Sequence, residues 1–196
     1  MVHSEKKGFT LLELLIVIGI LAILGTVTVL VLNPAELFRQ GRDSQRIENL
    51  SSLRSALGLF AATIGSPDFD GATVSCTTLC YTAAAGVAAN CGGRHPGKTT
   101  TIDSTREING AGWIPVDLTA IPGGAPLAAL PVDPVNDATY FFSYACDNTA
   151  KTFELDANME SARYVAGGSD DVETNTKDGG TVDTIYEIGT EPGLDI

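Results

Sequence analysis

The sequence predicts an α+β fold, with a long N-terminal helix packed against a small antiparallel β-sheet and a loop region clamped by disulfides. Helical periodicity begins in an apolar run at Phe9 and continues, with apolar residues three or four positions apart, to about residue 62. Residues 139–146 and 151–157 are strand-like and are separated by a turn, which indicates a hairpin. Four cysteines follow the apolar run, and an even number favours disulfides in an exported domain.

The apolar run from Phe9 to Leu32 contains 24 residues, of which Glu13 is the only ionisable one. As a helix it would span about 36 Å, which is enough to cross a bilayer. It is longer than the apolar region of a secretory signal peptide, which covers about 7 to 15 residues. A lone carboxylate in a spanning helix costs about 3 kcal/mol and usually marks a function or a buried partner. Glu13 is therefore a candidate functional residue.

The residues around Glu13 resemble the class III signal of type IV prepilins and type II secretion pseudopilins. The similar features are the basic pair Lys6-Lys7, the Gly8-Phe9 junction, and Glu13 as the fifth residue counted from Phe9. The resemblance implies that a prepilin peptidase cuts after Gly8 and methylates the new amine of Phe9. It also implies that Glu13 pairs with the Phe9 amine of a neighbouring subunit during assembly, because a buried carboxylate and ammonium then offset each other's desolvation.

The resemblance implies a type IV pilin fold in three parts: a leader of residues 1–8, a membrane and filament-core helix of residues 9–34, and an extracytoplasmic pilin domain of residues 35–196. Lys6 and Lys7 precede the apolar run, so the positive-inside rule keeps the N-terminus in the cytoplasm. The precursor is expected in the cytoplasmic membrane as a single-pass protein. The processed protein is expected in an extracellular or cell-surface filament.

Pro34 is expected to kink or locally melt the helix, because it lacks an N–H and clashes with the preceding turn. Beyond it, one helix face carries an apolar stripe that needs a covering surface. The stripe consists of Phe38, Ile47, Leu50, Leu53, Leu57, Phe60 and Ile64. The opposite face is predicted to carry Arg39, Arg42, Asp43, Arg46 and Glu48.

Three arginines on that helix, Arg39, Arg42 and Arg46, share a face and suggest DNA contact. The formal net charge of -12 opposes this function, since an acidic surface repels nucleic acid on average. Asp43 stands four residues after Arg39 and can pair with it. No aromatic residues interleave with the arginines to stack on bases. Pairing with acidic neighbours is therefore favoured over DNA binding.

The four cysteines leave three disulfide connectivities open. They are Cys76, Cys80, Cys91 and Cys146. We prefer two bridges in which Cys146 is tied back to the region of the other three. The alternative is a zinc site of some cysteines with His95, which the extracytoplasmic compartment and the lack of a second close cysteine pair disfavour. Residues 65–112 are rich in small and polar residues and predict a loop-dominated region.

Residues 92–99 match the phosphate-loop pattern G-x-x-x-x-G-K-T letter for letter. Phosphate binding by such a loop needs a buried strand before the loop and a helix that begins at the lysine. Here Pro96 removes an amide and the threonines from Thr99 onward begin no apolar helix, so nucleotide binding is not expected. His95 is predicted in a mobile loop and His3 in the leader. No catalytic set can be assembled around them, so the protein is not expected to be an enzyme.

The predicted hairpin presents one face of aromatic and aliphatic side chains as a cover for the helical stripe. These are Tyr140, Phe142, Tyr144, Phe153, Leu155 and Ala157. Before it, residues 130–134 are similar to the Leu-Pro-x-Asp-Pro stretch that precedes a Tyr-rich strand in major pseudopilins and their pilin relatives. Turn formation by Asp133 explains the same residues. Residues 185–188 predict a last short strand.

The segment after Gly167 is strongly acidic. Major pseudopilins hold a calcium ion in a C-terminal acidic loop, so the resemblance makes calcium the one cofactor to consider. Candidate ligands are Asp170, Asp171, Asp178 and Asp183. Their spacing fits no fixed calcium loop, and a solvated acidic loop is the favoured interpretation.

The resemblance implies a structural subunit of a type IV pilus filament that assembles with other copies of itself. Its further partners would be the prepilin peptidase and the inner-membrane pilus assembly machinery. The first alternative is a major pseudopilin of a type II secretion system, which residues 130–134 favour, whereas the cysteine-rich loop favours a pilus. The second is a non-polymerising, membrane-anchored surface binding protein.

Overall fold

Two helices occupy the N-terminal third of the chain in a computed structural model that describes residues 8–71, 75–191 and 194–196. Helix α1 covers Leu11–Leu32 and helix α2 covers Pro34–Thr63. Asn33 between them has a left-handed backbone with φ of 40°. Pro34 is the first residue of α2, a position at which the missing N–H costs no helical hydrogen bond. The helical run is therefore interrupted at Asn33, directly before the proline.

The chain divides into two compact units, Met1–Phe38 and Arg39–Ile196. The larger unit contains a five-stranded sheet in the order β2-β1-β3-β4-β5. The strands are β1 (Leu79–Thr82), β2 (Thr99–Ile102), β3 (Ser143–Asp147), β4 (Thr152–Ala157) and β5 (Tyr186–Gly189). Strands β1 and β2 are parallel, and every other neighbouring pair is antiparallel. Short helical turns cover Ala89–Gly93, Leu118–Ala120 and Asn175–Asp178.

The predicted hairpin is strands β3 and β4, in which Tyr144 lies opposite Leu155. Strand β3 begins at Ser143, four residues later than the predicted start at Thr139. The predicted last strand is β5. Strands β1 and β2 lie in the region that was expected to be loop-dominated. They were not predicted because their few β-forming threonines and single tyrosine are surrounded by small residues.

One face of the sheet shares a core with α2. The helix contributes Leu50, Leu53, Ala56, Leu57 and Phe60, and β3 and β4 contribute Tyr144, Cys146, Phe153, Leu155 and Ala157. Each fully buried large side chain in such a core contributes about 1.5–3 kcal/mol relative to exposure. The predicted stripe is thus covered from Leu50 onward, whereas Phe38 remains 71% exposed. Tyr140 lies outside this core. The Arg46 guanidinium lies over its ring, with Cζ 5.1 Å from the ring centre.

The other face of the sheet is covered by residues of the cysteine-rich loop. A second apolar cluster there contains Cys80, Ala84, Val87, Cys91, Phe141 and Ala145. Disulfides join Cys76 to Cys146 and Cys80 to Cys91, so Cys146 is tied back to the loop as preferred. The loop is therefore a second layer of the domain.

Candidate functional site

Helix α1 is apolar on all sides and has no buried residue. Leu11 is 83% exposed and Leu30 is 75% exposed. A helix that is hydrophobic all round requires an apolar environment, either a membrane or the interior of an assembly. One helical stretch among the described residues, Leu11–Thr63, contains a window long and apolar enough to cross a membrane. The first site is therefore this uncovered helix with the residues at its N-terminus.

Glu13 closes a capping box at the start of α1. The carboxylate oxygen Oε2 accepts hydrogen bonds from the backbone N–H of Thr10 at 2.9 Å and from the Thr10 hydroxyl at 2.8 Å. In return, the Thr10 hydroxyl accepts the Glu13 N–H at 3.2 Å. Such boxes satisfy two donors that a helix N-terminus leaves unpaired. This local role of Glu13 was not predicted from the sequence, although Thr-x-x-Glu is its signature.

The predicted processing site lies directly before this cap. Gly8 and Phe9 are both exposed, Phe9 by 83%. The Glu13 carboxylate contacts the Thr10 N–H, one residue from Phe9. Lys6 and Lys7 lie outside the described residues. Cleavage, methylation and the pairing of Phe9 with Glu13 remain predictions.

A buried ionic cluster joins α2 to two distant loops. Arg46 is fully buried and donates from Nε to Asp133 Oδ2 at 2.6 Å and from Nη1 to Asp43 Oδ1 at 2.7 Å. Its Nη2 also contacts Glu160. Asp43 accepts the backbone N–H groups of Glu160 and Ser161, at 3.0 and 2.8 Å. One guanidinium therefore contacts carboxylates from three parts of the domain.

Asp43 and Arg46, which were predicted on the helix face opposite the apolar stripe, are both fully buried. Helical periodicity cannot reveal their burial, because Asp133 and Glu160 follow Arg46 by 87 and 114 residues. Burial alone would lower the pKa of Arg46. Hydrogen bonds from the guanidinium to Asp133 and the other carboxylates outweigh this effect, so the pKa is raised overall. Arg42 forms a paired contact with Glu160. These pairings leave Arg46 unavailable to nucleic acid and weaken the case for DNA contact.

Acidification is expected to weaken this cluster through Glu160. Hydrogen bonds from Arg42 and Arg46 lower the pKa of Glu160 in the folded protein, and the bond from Arg42 has the largest effect. Partial burial of the carboxyl opposes this shift. Such a carboxyl stabilises the fold above its unfolded pKa of about 4.3 and loses that contribution as the pH falls through its folded pKa. We therefore expect the melting temperature to fall more steeply below about pH 4.3 in the wild type than in Glu160→Gln.

Glu48→Gln is the control for this prediction, because Glu48 is exposed on the same helix. Melting curves of the full chain in detergent between pH 3 and pH 7 measure the effect. The control variant is expected to retain the steep acid slope. An equally steep slope in Glu160→Gln would contradict the assignment.

Arg94, His95 and Lys98 are buried against the outer face of the sheet, so the mobile-loop prediction for His95 was wrong. Arg94 donates to the Phe141 carbonyl at 2.8 Å and lies over the Phe141 ring at 3.6 Å. Burial lowers the pKa of Arg94 to about 10. The Nε2 atom of His95 lies 2.9 Å from Asp156 Oδ2. The disulfide-closed layer that covers these side chains has no local sequence signal.

The phosphate-loop pattern does not have the structure that its mechanism requires. Thr99 begins strand β2 instead of a helix. The Lys98 ammonium donates to the Cys76 carbonyl beneath the loop. All four cysteines are paired in disulfides, so the zinc site of cysteines with His95 would lack thiolates.

The acidic residues proposed for calcium act as loop caps in the structure. Asp170 pairs with Arg163, and Asp183 accepts the Asn175 N–H at 3.1 Å. Asp178 accepts N–H groups of Gly180 and Glu187, and Asp171 accepts those of Gly167, Glu173 and Thr174. The Thr174 hydroxyl also donates a hydrogen bond to Asp171, and this bond has the largest effect on its pKa. Together with the N–H bonds it lowers the pKa of Asp171 to about 2. Among the described residues these acids form no metal-ligand group, and calcium binding stays a prediction.

Comparison with known proteins bears on the N-terminal site. The prokaryotic N-terminal methylation motif matches residues 4–29, which include Gly8, Phe9, Glu13 and most of α1. No curated protein and no solved structure matches the chain. The motif and the α+β architecture agree with the resemblance found in the sequence. The match therefore supports a type IV pilin-like or pseudopilin protein.

Proposed function

We propose that the protein is the structural subunit of a type IV pilus filament, stored in the membrane as a prepilin, cleaved after Gly8 and polymerised through α1. The observation that carries this proposal is an apolar 22-residue helix that has no buried residue and lies mostly within the methylation motif. Its apolar surface favours association at about 25 cal/mol for each Å² removed from water. Packing many copies of α1 together covers that surface after the helix leaves the bilayer.

The proposed assembly uses both the predicted cleavage site at Gly8-Phe9 and the carboxylate of Glu13. Cleavage after Gly8 would create an ammonium at Phe9, while Glu13 brings a carboxylate into the same apolar interior. Neither charge is stable there alone, so each copy would pair its Glu13 with the Phe9 amine of a neighbour. Prepilin peptidase and the inner-membrane assembly machinery are the implied partners. The acidic domain would form the outer surface of the filament.

A major pseudopilin of a type II secretion system is the second candidate. Residues 130–134 favour it by their similarity to the pseudopilin stretch, and Asp133 within them is the buried partner of Arg46. The two functions differ in the fate of the filament. Deletion of the subunit abolishes surface filaments if it is a pilin, and abolishes export of secreted proteins if it is a pseudopilin.

Processing is tested by mass spectrometry of the protein from sheared filaments and from membranes. We expect the filament form to begin at methylated Phe9 and Gly8→Ala to remain a full-length precursor. A Cβ added at Gly8 meets nothing within 4 Å, so this change leaves the rest of the chain undisturbed. Gly19→Ala, at a glycine with equal space, is the control and is expected to be processed. A full-length chain found only in membranes would support the anchored binding protein instead.

A further inference from the structure

Three metal-binding side chains converge on the outer face of β4, apart from the assembly site. They are His95, Glu154 and Asp156, and one ligand atom of each lies within 4.8 Å of the others. All three are buried, with exposed fractions of 0% for His95 and 1% for each acid. Alternation along β4 places Glu154 and Asp156 on the face opposite the α2 core, and the disulfide-closed loop brings His95 over them.

The hydrogen bonding of this cluster is incomplete. Among the residues that the structure describes, no hydrogen-bond partner is found for either ring nitrogen of His95 or for Asp156 Oδ1. The contact of His95 Nε2 with Asp156 Oδ2 is 2.9 Å long but lacks hydrogen-bond alignment, and Nδ1 lies 3.9 Å from Glu154 Oε2. A buried imidazole without aligned hydrogen bonds is costly, and an ion is a common explanation for such groups.

The remaining acceptors are held by neighbouring donors. The Ser143 hydroxyl donates to Asp156 Oδ2 at 2.9 Å, and the Ile196 N–H donates to Glu154 Oε2 at 3.1 Å. Arg94 donates to the Asp156 carbonyl at 3.3 Å. Outer hydrogen bonds of this kind orient metal ligands in proteins. They leave Asp156 Oδ1 and an imidazole nitrogen free to meet a cation.

We propose that His95, Glu154 and Asp156 bind one Zn²⁺ ion, with a water molecule as the fourth ligand. Zinc accepts imidazole nitrogen and carboxylate oxygen in tetrahedral sites, whereas Ca²⁺ and Mg²⁺ prefer oxygen ligands alone. The ion would link the loop of residues 83–98 to β4, beside the Cys80–Cys91 disulfide. It would thereby hold the outer layer of the domain on the sheet.

Zinc titration of the chelator-treated, full-length precursor in detergent tests this site. We expect one Zn²⁺ per chain and, at about 100 times Kd, a rise in melting temperature of about 5–10 °C. His95→Gln is expected to weaken zinc binding by about 100-fold or more, because even changes outside the ligand set cost about 10- to 100-fold. His3→Gln removes the only other histidine and is expected to bind zinc as the wild type does.

X-ray absorption at the zinc edge of the wild-type protein tests the ligand set without any variant. We expect one imidazole with oxygen ligands and no sulfur. The proposal is overturned if zinc fails to bind, if Ca²⁺ or Mg²⁺ produces the same rise in melting temperature, if sulfur is a ligand, or if His95→Gln binds zinc normally. Filament formation is not measured in this experiment, so its outcome is independent of the proposed function.

Discussion

Replacement of Arg46 by leucine is expected to destabilise the domain by about 3–5 kcal/mol, because it leaves buried carboxylates without their cation. Asp43 and Asp133 are held at 2.7 and 2.6 Å from the guanidinium, and their side chains are fully buried. Leucine fills part of the volume but cannot neutralise either group. Melting of the full chain in detergent, followed by tryptophan fluorescence, measures the change. The chain has a single tryptophan, Trp113, which is 1% exposed within the core and therefore reports on this domain.

Arg54→Leu is the matched control for Arg46→Leu. Arg54 is an exposed residue of the same helix, so its replacement is expected to change stability by less than about 0.5 kcal/mol. A helix-propensity effect of leucine would appear equally in both variants. If Arg46→Leu melts with the control, the ionic cluster contributes nothing to stability, and burial of its carboxylates must be compensated elsewhere.

The fold was predictable where one element carries a periodic pattern. Leu50, Leu53 and Leu57 recur at helical spacing, and Phe153 and Leu155 alternate at strand spacing, so their buried faces follow from local sequence. The methylation motif was recognisable for a similar reason, since Gly8, Phe9 and Glu13 lie within one short segment. Each of these features needs no knowledge of what lies far along the chain.

The buried charges were not predictable, because their partners come from distant segments. Arg46 follows a polar pattern on α2 and becomes a core residue only when Asp133 and Glu160 fold over it. His95 stands in a glycine-rich segment and becomes buried only when disulfides close the loop above β4. Periodicity assigns polar residues to solvent by default, which is correct for Glu48 and wrong for Arg46 and His95. Long-range contact between polar side chains is thus the step that local sequence omits.

The uncharged variant Glu13→Gln is expected to abolish filaments while leaving cleavage and methylation intact. Glutamine at the third helical position can still accept the Thr10 N–H and hydroxyl groups, so the capping box is retained. It could not neutralise the ammonium that the proposed cleavage after Gly8 would create at Phe9. Immunoblots and electron microscopy of sheared surface fractions measure filaments, and mass spectrometry of the membrane fraction measures processing.

Thr10→Val is the complementary variant, because it weakens the helix cap and keeps the charge of Glu13. Valine removes the hydroxyl that accepts the Glu13 N–H, at a cost of about 1 kcal/mol to the helix start, but leaves the carboxylate in place. Filaments are therefore expected from Thr10→Val and not from Glu13→Gln. The reverse result would assign Glu13 to helix capping alone. Because the cap already satisfies Glu13 within one chain, only a requirement for its charge can make Glu13→Gln the more damaging of the two changes.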